Sequence, residues 1–322
     1  MSTLPAFRPR FPWIGGDLQT IRNNLVGKAP ALSGTIRLTL PMSDGSGDEL
    51  LAALNMPDDD HGKPLVILIH GLTGDEDSTN IATSAAWHRR RGHPVLRLNL
   101  RGAGPSRGLT RQHYHAGRSA DLRDALKALP TDLKRRGVFI TGTSLGGNLV
   151  LKFLAENEGC AGVIAGASIS APIDLKAAQV RIMAPRNRIY HRHLFKTMTD
   201  DAALSSGTHR ALYDANAGRI HTIYDFDDLI VAPGNGFTGA DDYYRRSSAA
   251  PLVDRITIPT LVIHARSDPW IPAAAYVNRL WPEGGPTLLL TADGGHVGFH
   301  GAGDAIPWHN HAIAAFFDKM LK

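Results

Sequence analysis

One cysteine, Cys160, is the chain's whole thiol complement. No internal disulfide can form, which fits a reducing compartment and gives the expectation of a cytoplasmic protein. Long apolar runs are missing as well. Stretches such as Leu65–Ile69 fall far short of the about 20 residues that a membrane-spanning helix needs. The N-terminal segment MSTLPAFRPRFPWIGG lacks the apolar centre of a secretory leader. The expectation is a soluble chain with no transmembrane segment and at most peripheral lipid contact. Concentrated charge of one sign is also lacking. The net charge is +5, but the basic residues are scattered over Arg89–Arg91, Lys134–Arg136, Arg186–Arg192 and Arg245–Arg246. No basic stripe or RNA-binding motif joins them, so no nucleic-acid partner is expected. Metal-ligand spacing is absent in its usual forms. The 15 histidines include the i, i+2 pairs His113/His115, His191/His193 and His309/His311, yet none belongs to an H-E-x-x-H pattern and cysteine ligands are lacking. Neither a metal nor an organic cofactor is expected.

What is present is enough apolar material for a large core: 43% of 322 residues. At about 150 residues per domain the length would suggest two domains, but α/β folds often exceed that as one unit, and a single domain over 1–322 is expected. GTIRLTL (34–40) alternates, SDGSGD supplies turn chemistry, and ELLAAL (49–54) follows, which reads as an antiparallel hairpin. PLVILIH is a continuous apolar run, suited to a strand buried on both faces. A helix over 78–91, a strand PVLRLNL (94–100), a helix over 119–129 and a strand GVFITGTS (137–144) come next, and the last runs straight into a helix LGGNLVLKFLAEN (145–157). Strands GVIAGASIS, PTLVIHARSD and PTLLLTADGGH and an amphipathic helix from His309 to Leu321 complete the pattern. Strands alternating with helices predict an α/β fold, a mostly parallel doubly wound sheet with an N-terminal antiparallel hairpin. Residues 174–247 break the rhythm with helical pieces, many His and Arg, and no clean strand. The preferred reading is a cap inserted over the sheet's carboxyl edge. The alternative is a long excursion packed beside the core.

Gly142-Thr143-Ser144-Leu145-Gly146 matches G-x-S-x-G between a predicted strand and a predicted helix, the context in which that pattern makes a nucleophile elbow. The turn is sharp, so positions two residues to either side must be very small, and Gly142 and Gly146 meet that need. Gly147 lets the helix approach the sheet. The lysine-bearing phosphate-loop pattern and G-x-G-x-x-G do not fit this segment. Acyl transfer at Ser144 needs two backbone N–H groups aimed at an oxyanion. Leu145, at the helix N-terminus, offers one. His70-Gly71-Leu72-Thr73-Gly74 follows an earlier strand and makes Leu72 the candidate for the other. In elbow-type enzymes the acid and then the histidine follow the serine along the chain. Asp268 and His296 each stand where a strand gives way to a loop, at the sheet edge where open α/β sheets bind ligands. His70, His264 and His300 are rival bases, and Asp254 and Asp293 rival acids.

With those residues in hand, the chain resembles the YheT-like branch of the α/β-hydrolase superfamily, relatives of the eukaryotic ABHD1/ABHD3-type proteins. The resemblance rests on Asp17-Leu18-Gln19-Thr20, His70 to Gly74, Asn99-Leu100-Arg101-Gly102, Gly142 to Asn148, Asp242-Tyr243-Tyr244, Ser267-Asp268-Pro269 and Gly295 to Phe299. It implies an α/β-hydrolase fold and an esterase-type Ser-His-Asp site at Ser144, His296 and Asp268. Some relatives carry a membrane anchor, and none is expected here. The loop from Asn99 to Ser106 should flank the pocket in a structural rather than a catalytic role, and Tyr243-Tyr244 should pack the cap's return to the core, with substrate contact as the alternative.

The resulting expectation is a carboxylic ester hydrolase working through an acyl-enzyme on Ser144, with short- to medium-chain acyl esters as substrates. The rivals are acyl transfer to an alcohol by the same triad, and an inactive ligand-binding or scaffold protein.

Overall fold

The computed structural model describes residues 6–59 and 61–322. Met1–Pro5, part of the segment expected not to act as a leader, lies outside the described residues. Eight strands form one sheet: β1 Thr35–Pro41, β2 Glu49–Asn55, β3 Leu65–Ile69, β4 Val95–Leu98, β5 Val138–Thr143, β6 Val163–Ile169, β7 Thr260–Ala265 and β8 Thr287–Thr291. Their order across the sheet is β1-β2-β4-β3-β5-β6-β7-β8. β2 pairs antiparallel with β1 and with β4, and every other pairing is parallel.

The apolar runs divide between two cores by simple alternation, as side chains of successive strand residues point to opposite faces. Leu65, Ile67 and Ile69 of β3 and Val138 and Ile140 of β5 pack with Leu122, Ala125, Leu149 and Phe153 of helices Ser119–Ala128 and Leu145–Glu156. Val66, Leu68 and Phe139 point the other way, toward Ile81, Ile313 and Phe317 of helices Thr79–Arg90 and Trp308–Met320. The ring of Phe139 lies 4.1 Å from that of Phe317, nearly parallel. The predicted strand 94–100 ends early, at Leu98. The Asn99 N–H still donates to the Leu51 carbonyl of β2, but the Leu100 N–H turns to the His70 ring, so the backbone leaves the ladder there.

Between β6 and β7 the chain is helical: Leu175–Met183, Arg188–Leu204, Gly207–Asn216, Ile223–Phe226, a wide π turn over Asp227–Val231, and Ala240–Ser247, with no strand among the described residues. One helix was not anticipated. Gly16–Val26 is mostly polar, and only Gln19 in it is buried, so it lacks the apolar stripe by which helices are read. Among the described residues no helix is long and apolar enough to cross a membrane.

Candidate active site

β5 passes into helix Leu145–Glu156 through Ser144 alone. Ser144 has φ 51° and ψ −122°, a conformation that costs an L-residue of order 1–3 kcal/mol. Its N–H donates to the Ile169 carbonyl at 2.8 Å and its carbonyl accepts from Gly147 N–H at 2.8 Å, which hold the bend. A Cβ at position 142 would stand 2.2 Å from the Gly146 carbonyl oxygen, and one at 146 would stand 2.4 Å from that of His70. Both glycines are therefore demanded by close backbone approach.

The bend presents Ser144 Oγ to His296, whose Nε2 lies 2.8 Å away. On the far side of the ring, Nδ1 lies 3.0 Å from Asp268 Oδ2. The other carboxylate oxygen, Oδ1, accepts from the N–H groups of Trp270 and Ile271 at 2.8 and 3.0 Å. Burial pushes the Asp268 carboxyl up. The adjacent His296, with the hydrogen bond between them and the Ile271 N–H, outweighs burial and holds it below the usual range. An ionised carboxylate only accepts, so Nδ1 carries the imidazole proton and Nε2 turns a lone pair to the serine hydroxyl. The Trp270 indole stacks on the imidazole at 4.4 Å and 21°. Three segments from separate strand ends thus converge on one relay.

Position 71 is also tight: a Cβ there would stand 3.0 Å from Ser144 Cβ. Leu72 and Leu145 line the cavity into which Ser144 and His296 open, and neither backbone N–H has a hydrogen-bond partner among the described residues. The rival His70 is occupied: Nδ1 donates to the Gly71 carbonyl at 2.8 Å and Nε2 accepts from Leu100 N–H at 3.1 Å. Burial lowers its pKa, so it stays neutral. His264 is enclosed against Tyr276, its rings 4.1 Å apart, and burial pulls it down to about 4. His300 is likewise pulled to about 4 by burial and nearby arginines. Asp254 pairs with Arg279 at the surface. None of these rivals, nor Asp293, bonds Ser144 or His296.

Residues 64–302 match the model of a family described as alpha/beta hydrolase fold. The chain belongs to the α/β hydrolase fold family. It is 32% identical to the putative esterase YheT of Escherichia coli over 82% of this chain and 78% of that one. It is 28% identical to medium-chain fatty acid ethyl ester synthase/esterase 2 of Saccharomyces cerevisiae, over 80% of this chain and 62% of the yeast protein. Among solved structures it is similar to the Pyrococcus furiosus esterase Pf2001 with a TM-score of 0.58, at 15% identity over 98% and 99% of the two chains, a likeness of fold.

Two features of this α/β hydrolase escaped the sequence reading. The first is Tyr114, whose buried hydroxyl oxygen accepts from Thr73 N–H at 2.7 Å. Thr73 sits at φ 56°, unusual for a β-branched residue, so the phenol fixes the loop that carries Leu72. Tyr114→Phe removes the acceptor of that N–H. It should lower kcat by roughly ten- to a hundredfold with KM little changed, as steady-state kinetics will read. The second is the unforeseen helix Gly16–Val26. Thr20 Oγ1 accepts from His296 N–H at 2.8 Å. The Gln19 amide donates to the His300 carbonyl at 3.1 Å and accepts from its N–H at 2.7 Å. A Cβ at position 298 would meet the Gln19 carbonyl oxygen at 2.1 Å. Gly298→Ala should push helix and histidine loop apart, costing about 100-fold in kcat and lowering Tm, both measurable on one preparation. The signal was Asp17-Leu18-Gln19-Thr20, visible in the resemblance but silent as to its partner.

The loop after β4 is structural. Arg101, wholly buried, is held by Asp48 at 2.9 Å and Asp121 at 2.6 Å. Asn148 ties the elbow helix to the chain's return, donating to the Ala116 and Ser247 carbonyls and accepting from Ala249 N–H, each at 2.9 Å. Tyr243 and Tyr244 are buried beside it and also line the cavity. That cavity encloses about 950 Å³ including its open mouth. Its walls are chiefly apolar, with Leu175, Ile182, Met198, Phe226 and Val231 from the helical excursion facing Ser144 and His296. Among the described residues no group of three or more His, Cys, Asp or Glu side chains stands ready to hold a metal ion.

Proposed function

We propose that in this carboxylic ester hydrolase Ser144 is the nucleophile, His296 the general base and acid, and Asp268 the group that orients and charges the imidazole. The observation carrying the reading is the continuous Asp268–His296–Ser144 relay, with contacts of 3.0 and 2.8 Å. Ser144 Oγ attacks the ester carbonyl while His296 Nε2 takes its proton. The resulting oxyanion is held by the N–H groups of Leu72 and Leu145, the latter at a helix N-terminus. His296 then passes the proton to the departing alcohol and the acyl-enzyme remains. Water, deprotonated by the same nitrogen, adds to the acyl carbonyl and releases the acid and Ser144.

Short- to medium-chain acyl esters are the proposed substrates, in line with the apolar cavity wall and with the medium-chain ester named for the yeast relative. The helices over 174–247 act as a cap on a single domain, since their side chains line the same cavity as Ser144. Cytoplasmic residence suits a chain whose one thiol, Cys160, is buried and free. A second reading, acyl transfer to an alcohol through the same acyl-enzyme, is favoured by the synthase activity in the yeast relative's name. It differs only in which hydroxyl resolves the intermediate.

A fluorophosphonate probe should label Ser144 alone, and a p-nitrophenyl ester series of rising acyl length should peak at short to medium chains. Absence of labelling would sink the nucleophile assignment. A rate that climbs steadily into long chains would sink the substrate class. Product analysis with ethanol present separates hydrolysis from transfer.

A further inference from the structure

The cavity wall contains a carboxyl group that ester cleavage does not use. Asp227 opens the π turn Asp227–Val231 and is 8% exposed. Tyr244 donates its hydroxyl to Oδ2 at 2.6 Å. Oδ1 receives no hydrogen bond from any described residue, yet it is not sealed in by protein, and Asp227 lines the cavity it shares with Ser144 and His296. The neighbouring Asp228 is spent elsewhere, accepting from Ala240 N–H at 2.8 Å. No cation of the described residues pairs with Asp227. Burial, with Asp228 nearby, pushes its carboxyl up to about 7. Around it the wall is Ile223, Phe226 and Val231.

The Tyr244 bond occupies one oxygen and leaves the other without a donor, on a residue that lines a chiefly apolar chamber. A purely hydrocarbon chain filling that chamber would displace water from Oδ1 and give nothing back, and stranding a buried acceptor is costly. A substrate hydroxyl would restore the bond. It also suits either protonation state, donating to the carboxylate or accepting from the acid. An ammonium would suit only the ionised form, which burial disfavours at this carboxyl.

We propose that Asp227 is a specificity-determining group that binds a hydroxyl carried by the substrate at a distance from the scissile ester. The inference rests on the ester-hydrolase reading of Ser144 and names the substrate class for that same site.

The test compares matched esters on the full chain. One series sets p-nitrophenyl ω-hydroxyalkanoates against alkanoates of equal length. The other sets monoalkanoates of diols against alkanoates of equal-length alcohols. The hydroxylated member of at least one series should be favoured roughly 10- to 100-fold in kcat/KM, and the preference should fall below about threefold in the double variant Asp227→Leu/Tyr244→Phe, which removes both polar partners together. The wild-type preference needs no variant, so misfolding of the double variant leaves the proposal exposed. No preference in either series overturns it. A preference that survives the double variant, with both members slowed alike, overturns it in favour of a structural tie. An ω-amino ester that outruns its hydroxylated counterpart overturns the hydroxyl in favour of a cation. If no ester is turned over at all, the hydrolase reading falls as well; plain esters turned over without preference sink the Asp227 assignment alone.

Discussion

Ser144→Ala should lower kcat for every ester by roughly 10⁴–10⁶-fold while the circular dichroism spectrum and fluorophosphonate-independent measures of folding stay unchanged. Alanine keeps the Cβ and the backbone bonds to Ile169 and Gly147, and only the attacking oxygen is lost. Turnover near the wild-type rate would end the nucleophile assignment. A companion variant separates chemistry from stability. Glycine at 144 relieves the φ of 51°, so Ser144→Gly should be as inactive as the alanine variant but more stable, by ~1–3 kcal/mol. Denaturant titration would read the difference.

The second large effect belongs to Asp268→Asn. The two backbone N–H groups of Trp270 and Ile271 require an acceptor, so the asparagine oxygen is drawn to them and its NH₂ faces His296 Nδ1. That nitrogen must then accept, which moves the ring proton to Nε2, against the serine hydroxyl. The base is present but in the wrong tautomer. A loss of about 10⁴-fold in kcat is expected, as in other serine triads, with Tm close to that of the unaltered chain. A loss smaller than about tenfold would show that the carboxylate neither orients nor charges the ring.

Most of the fold was legible because its signals are local. A continuous apolar run marked β3, glycine spacing marked the elbow, and chain order pointed to Asp268 and His296. What stayed hidden depends on contacts that no window of sequence contains. Gln19 meets His300 across 281 positions, and its helix offers no apolar periodicity to announce it. Tyr114 is one of seven tyrosines, and nothing beside it predicts a bond to Thr73. Asp227 lies in a segment recognised as helical and irregular. Its meaning arises only where a widened turn sets it in the wall of a chiefly apolar chamber. Residues 174–247 showed their lack of strands in composition, but which surface they cover is a tertiary fact.

The clasp between helix Gly16–Val26 and the loop at Gly294–His300 also bears on when this chain can react. The bend at Ser144 is held by its backbone bonds to Ile169 and Gly147, and the loop of Leu72 lies earlier still, so the serine's segment precedes the imidazole along the chain. The imidazole is held by a threonine 276 positions away. A chain opened between helix Gly16–Val26 and the His296 loop would therefore lose the N–H anchor of the proposed base. On the proposed mechanism, reactivity then depends on that docked helix as much as on the elbow.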